Sequence, residues 1–156
     1  MSYFTINNTN TVRLRFTNEY DHAATLTLTN IRIVNLEVRI PASLGVISTS
    51  TANLAIQPFG ASTMYERYLN ISVKIPGYLN PTIEKLPFSS IIDNGETYVY
   101  AIDLSNGIEG NYTVDVWLSA LASEGDTEEL TSPTVTTSFI YRDASSNVPM
   151  LSANLG

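Results

Sequence analysis

Residues 96–119 read ETYVYAIDLSNGIEGNYTVDVWLS, and they hold two runs in which apolar side chains alternate with polar or small ones. Successive side chains of a β-strand point to opposite faces, so each run places one apolar row on one side of a sheet. Asn106-Gly107 and Gly110 lie between the runs and tolerate the positive φ that a chain reversal needs. The stretch predicts a β-hairpin whose even-numbered residues face the core: Tyr98, Tyr100, Ile102, Leu104, Tyr112, Val114, Val116 and Leu118.

Alternation of the same kind continues outside this hairpin. Residues 11–16, 63–75 and 134–141 each place an apolar row on one face, and the apolar stretch 24–40 changes phase twice. No window shows helical periodicity. The chain is therefore predicted to be all-β, a single β-sandwich of about eight to ten antiparallel strands, because such chains bury their apolar rows by stacking or closing sheets.

The ends of the chain are more polar than its middle. We predict three segments: an N-terminal arm over residues 1–10, the β-sandwich domain over residues 11–141, and a C-terminal tail over residues 142–156. The tail contains one short apolar run, Val148-Pro149-Met150-Leu151.

Several short motifs resemble a known group of folds. They are Leu36-x-Val-x-Ile-Pro41, Val46, Leu54-x-Ile-x-Pro-x-Gly60, Gly95-Glu-Thr-Tyr-x-Tyr100 and Gly110-Asn-Tyr-Thr-Val-x-Val116. Together they resemble the immunoglobulin-like β-sandwich modules of archaeal surface proteins and virion structural proteins, over residues 11–141. The resemblance implies an adhesive, structural or assembly role and carries over no functional residue. A viral jelly roll is the alternative topology.

Charge and composition limit the possible partners. The net charge is −7, which argues against nucleic acid, although Arg13, Arg15, Arg32 and Arg39 could form a local basic patch. There is no cysteine, so disulfides and thiolate chemistry are excluded. No apolar run reaches the ~18 residues of a membrane span, so membrane insertion is not expected.

The first residues, MSYFTINNTNT, lack the basic and apolar regions of a secretory signal. If Met1 is the natural start, this favours a virion, which assembles inside the host cell. If Met1 replaces a removed signal, the protein belongs outside the cell or at its surface.

Catalytic patterns are weak. The single histidine, His22, lies beside Asp21 in a predicted turn, where exposure to solvent explains it. Asp103 and Asp115 lie on the predicted hairpin, on the face away from the core, and could approach each other as a glycosidase pair; two solvated side chains explain them better. The sequence predicts that the protein is not an enzyme and uses no cofactor.

Metal binding has two candidate sites. Residues 124–129 hold four carboxylates, which calcium prefers, but not at EF-hand spacing, and residues 93–96 are better explained as a turn. We predict an acidic surface loop and no metal site. Three N-x-[ST] sequons, at Asn7, Asn70 and Asn111, match the number expected by chance from the Asn, Ser and Thr content, and Asn70 and Asn111 could be accessible.

Trp117 is the one large aromatic predicted on an otherwise polar face. Val99 and Ala101 of the partner arm are expected to flank it, with Asp115 nearby, which makes these four residues the candidate interaction site. Its cover is a terminal arm, a neighbouring subunit, a sugar ring, or the chain's own loop 122–133.

Two functions remain open. The first is a structural subunit of a virion, capsid or capsid-associated, held together by contacts with copies of itself and other structural proteins of the same assembly. Deletion of residues 1–10 or 143–156 is then predicted to abolish assembly and leave the sandwich folded. The alternative is a cell-surface filament or a carbohydrate-binding adhesion module, with Trp117, Tyr65, Tyr68 or Tyr78 stacking on a glycan.

Overall fold

The computed structural model describes residues 35–62, 64–88 and 96–144. Nine strands occur in these ranges, and their bounds are β1 Glu37–Arg39, β2 Gly45–Ile47, β3 Thr51–Phe59, β4 Tyr65–Lys74, β5 Thr82–Pro87, β6 Tyr98–Asp103, β7 Gly110–Leu121, β8 Glu129–Thr131 and β9 Val135–Tyr141. Predictions about the N-terminal arm, His22 with Asp21, Asn7, Asp93 and residues 148–151 lie outside the described residues.

The strands form two packed sheets, so the prediction of an all-β sandwich is confirmed. One sheet has three strands in the order β1-β3-β6. The other has six, in the order β2-β9-β7-β4-β5, with β8 added to β7. The short strand β2 runs parallel to β9, whereas the other described pairs are antiparallel.

The predicted hairpin over residues 96–119 is wrong. Strand β6 pairs with β3, with Leu54 opposite Tyr100, while β7 pairs with β4 and β9 in the other sheet. The connection between them crosses from sheet to sheet, and the Leu104 N–H anchors its start by donating to the Ser50 carbonyl at 2.8 Å. Alternation defines a strand and its faces but not its partner, and a loop longer than a tight turn lets the next strand join another sheet.

The predicted faces are correct even though the pairing is not. On β7 the even-numbered side chains Tyr112, Val114, Val116 and Leu118 are at most 2% exposed. Leu69 and Ile71 of β4 and Leu54 and Ile56 of β3 are completely buried, so apolar rows of both sheets meet in the core. The rings of Tyr112 and Phe139 stack with their centroids 4.8 Å apart.

Two backbone irregularities shape the strand ends. Gly60 follows β3 with φ +83°, and a Cβ there would lie 1.9 Å from the Asn35 carbonyl oxygen, so only glycine fits. In β4 the register with β7 shifts between Tyr65 and Tyr68, and Glu66 takes a φ of +41° there, which marks a β-bulge.

Candidate interaction surfaces

The four residues of the candidate interaction site do not form one patch. Trp117 and Asp115 lie on β7, on the outer face of the six-stranded sheet, because their neighbours Val116 and Leu118 face the core. Val99 and Ala101 lie on β6, on the outer face of the three-stranded sheet, and both are exposed. The outer faces of a sandwich point in opposite directions, so the expectation that Val99 and Ala101 flank Trp117 is corrected.

Trp117 has polar neighbours on its own sheet. It is half-buried, and its Cα partner on β4 is Asn70, which is only 5% exposed. The Asn70 amide donates to the Ser119 hydroxyl at 2.9 Å and to the Trp117 carbonyl at 3.4 Å. These bonds fix the backbone beside the indole. The sequon at Asn70 is buried, whereas the sequon at Asn111 is exposed.

Asp115 is hydrogen bonded along the same outer face. Its carboxylate accepts a bond of 2.6 Å from the Thr136 hydroxyl of β9. Asp103 ends β6, in the other sheet, where the Ser105 N–H donates to its carboxylate at 2.9 Å and holds its pKa below the usual range. The topology therefore separates the two carboxylates that the predicted hairpin would have brought together.

A cluster of Tyr68, Lys85 and Glu129 crosses the same outer face, and we call it the cross-strand brace. The Lys85 ammonium lies 4.2 Å from the centre of the Tyr68 ring and 2.9 Å from a Glu129 carboxylate oxygen. Hydrogen bonds from Lys85 and then from Ser119 lower the pKa of Glu129. Since Lys85 covers one face of the Tyr68 ring, a sugar could stack only on the other face.

Two carboxylates of the acidic stretch 124–129 bond to other groups of the chain. Glu129 belongs to the cross-strand brace, and a carboxylate oxygen of Asp126 accepts a bond of 2.9 Å from the Ser123 N–H, closing the turn. Among the residues that the structure describes, no group of three or more His, Asp or Glu side chains could hold a metal ion. No helix in the described ranges is long and apolar enough to cross a membrane.

Strand β6 forms an edge of the three-stranded sheet. Within the described residues it pairs only with β3, and its first five residues, Tyr-Val-Tyr-Ala-Ile, carry no charge, proline or glycine. From its inner face the Tyr100 hydroxyl donates to the Glu84 carboxylate of β5, and burial together with this bond raises the pKa of Tyr100. This bond connects the edges of the two sheets. No local sequence pattern relates Tyr100 to Glu84, so the sequence could not predict it.

An open cleft of about 190 Å³ lies at the end of the sandwich where β4 and β6 finish and β7 begins; we call it the end cleft. The Tyr112 hydroxyl holds one wall by donating to the Ile108 carbonyl at 2.9 Å and accepting from the Ile108 N–H at 3.1 Å. Tyr78, a predicted stacking residue, lies here and not near Trp117. The lining residues are Val73, Ile75, Tyr78, Ile102, Asp103, Ser105, Asn106, Gly107, Ile108 and Tyr112.

Comparison with known proteins adds no assignment to these surfaces: no protein-family model matches the chain, and no curated protein matches it significantly.

Proposed function

We propose that the protein is a non-enzymatic structural subunit, an immunoglobulin-like sandwich that assembles with copies of itself in a virion. The observation that carries the proposal is the edge strand β6. Its uncharged run of β-forming residues has one partner among the described strands, and the outer face of the run exposes Val99 and Ala101. Natural edge strands are usually protected by lysine, proline or a bulge, because an open edge is a template for another strand.

Edge β5 provides a contrast within the same molecule. Pro81 precedes it, Pro87 ends it, and Lys85 lies in its middle, so it carries the protections that β6 lacks. Strand addition by a segment of a neighbouring subunit is therefore assigned to β6. Main-chain hydrogen bonds would supply affinity in this mode, and alternate side chains would supply specificity.

The test places lysine on the outer face of the edge. The double variant Val99→Lys, Ala101→Lys keeps the core row of β6 unchanged, so we expect an unchanged melting temperature and a loss of assembly. Light scattering and negative-stain electron microscopy would follow assembly. Ile140→Lys is the matched control, because Ile140 is 39% exposed on β9, which has described partners on both sides. Normal assembly of the double variant would refute strand addition at β6.

The second candidate function, glycan binding, is favoured by Trp117 alone. Its indole is half-buried on the outer face, with the Asp115 carboxylate two residues away on the same row. Stacking of a sugar ring on the indole with a carboxylate beside it is a chemistry that aromatic binding sites use. A glycan array with wild type and Trp117→Ala decides it: a ligand lost in the variant supports this function, and no ligand removes it.

A further inference from the structure

The end cleft has a lining of mixed polar and apolar character, and exposed apolar side chains gather around its rim. Among the described residues that line the cleft, Asp103 is the only one with a charged side chain. Around it Tyr78 is 59% exposed and Ile108 44%, and Leu79, which follows Tyr78, is 94% exposed. Apolar side chains that gather around a concave surface are typical of an interaction site, whereas single exposed ones are ordinary.

The C-terminal part of the chain leaves the sandwich beside this cleft. After β9 ends, the Asp143 N–H donates to the Glu109 carboxylate at 2.7 Å, and Glu109 follows the cleft residue Ile108. Residues 145–156, which lie outside the described ranges, read SSNVPMLSANLG and contain no charged side chain. The run Val148-Pro149-Met150-Leu151 can therefore enter the end cleft without desolvating a charged side chain of its own.

We propose that two copies of the chain pair end to end, and that residues 148–151 of each copy lie in the end cleft of the other. The inference goes beyond the assembly function proposed above and rests on it: it names the partner as a second copy and places the contact at a different surface. In a symmetric pair each copy contacts the other through the same surface patch, so that patch must carry both the tail and the cleft that receives it. The end of the sandwich meets this condition, because the cleft and the exit of the tail lie side by side.

The length of the tail fits this exchange. Val148 lies five residues after Asp143, and these five steps reach about 17 Å when extended, so the proposed donor segment begins close to the end face. A stable interface buries about 800 Å² on each partner. In the proposed pair, the two exchanged tails add to the contact between the end faces.

Sedimentation velocity over a concentration series tests the proposal. We expect a dimer for the full chain, and dimer dissociation constants at least about tenfold weaker both for the chain truncated after Ala144 and for Ile108→Asp. The partly exposed position of Ile108 tolerates the new charge, and melting curves check the fold. Val99→Lys is the control, since Val99 lies on the outer face of β6: it should block larger assemblies and keep the dimer.

A labelled peptide of residues 145–156 gives a second readout. It should bind the truncated chain and lose at least about tenfold in affinity on the truncated Ile108→Asp chain. A dimer that survives both truncation and Ile108→Asp would overturn the exchange while leaving assembly through β6 intact. A full chain that stays monomeric, with a truncated form that binds the peptide, would place the segment in its own cleft and overturn the second-copy assignment.

Discussion

Strands β6 and β7 carry the same alternating pattern, but they differ in surroundings. The twelve-residue strand β7 lies inside the six-stranded sheet and pairs with β4, β8 and β9. The six-residue strand β6 has one described partner, and its outer face is open. On its core face β7 buries its whole even-numbered row, whereas on β6 Tyr98 and Tyr100 stay partly exposed and Ile102 is buried. Fuller burial and more neighbours make β7 the more stable of the two strands, while β6 is an edge among the described strands.

The largest effect is expected from a substitution that disturbs β3, the strand with which β6 pairs. Gly60→Ala would press a Cβ against the Asn35 carbonyl at the end of β3, and β3 is the described partner of β6. The clash and the positive φ together should cost more than about 3 kcal/mol. Hydrogen exchange on a partly folded population should show that the amides of β6 lose protection before those of β7. Equal loss in both strands would mean that the sheets unfold as one unit.

A matched pair of substitutions comes next. Val116→Ala on β7 removes two methyl groups from a completely buried position, and about 2 kcal/mol of stability should be lost. Val99→Ala on β6 makes the same chemical change at a side chain that is 55% exposed, and we expect a change within about 0.5 kcal/mol. Urea denaturation measures both. A large effect at Val99 would show that its outer face is covered.

The same contrast explains what the sequence could predict. Strand positions and buried faces follow from a period of two residues, and Leu69, Ile71 and the even residues of β7 lie where that period places them. Pairing depends on where each connection leads. The residues between β6 and β7 contain the Asn and Gly of a turn, yet they cross between sheets, so the predicted grouping of Trp117 with Val99 was wrong.

Other misses have a similar origin. Strand β3 continues through Pro58 and Phe59, with Pro58 opposite Val38 near the strand end, although proline in a sequence usually marks the end of a strand. Lys85 and Glu129 are 44 residues apart and meet only because β5 and β8 join the same sheet. No local sequence pattern encodes such a contact, because only the sheet topology brings the two side chains together.

A smaller effect is expected where the edges of the two sheets are tied. Tyr100→Phe removes the hydroxyl that donates to Glu84, and a half-buried hydrogen bond to a carboxylate should be worth about 1 kcal/mol. Because the pKa of Tyr100 is raised, the folded state favours the neutral phenol, and the associated stability should be lost as pH rises above about 10. The variant should therefore flatten the alkaline limb of the stability profile. If the alkaline limb did not change, the loss of stability at high pH would come from another tyrosine.

The smallest expected effect concerns the cross-strand brace, which lies over β7 instead of joining the sheets. The Lys85 and Glu129 side chains are each nearly half exposed, so Glu129→Gln should cost less than about 0.5 kcal/mol at neutral pH. Lys85 lowers the pKa of Glu129, so this contribution is present above the unfolded value of about 4.3 and disappears as pH falls through the lower folded value. Wild type and variant should then have equal stability in acid and separate slightly near neutrality. A separation that persisted in acid in which Glu129 is protonated in both states would show that the side-chain amide disturbs packing. Added salt at neutral pH should reduce the difference if the ion pair is its source.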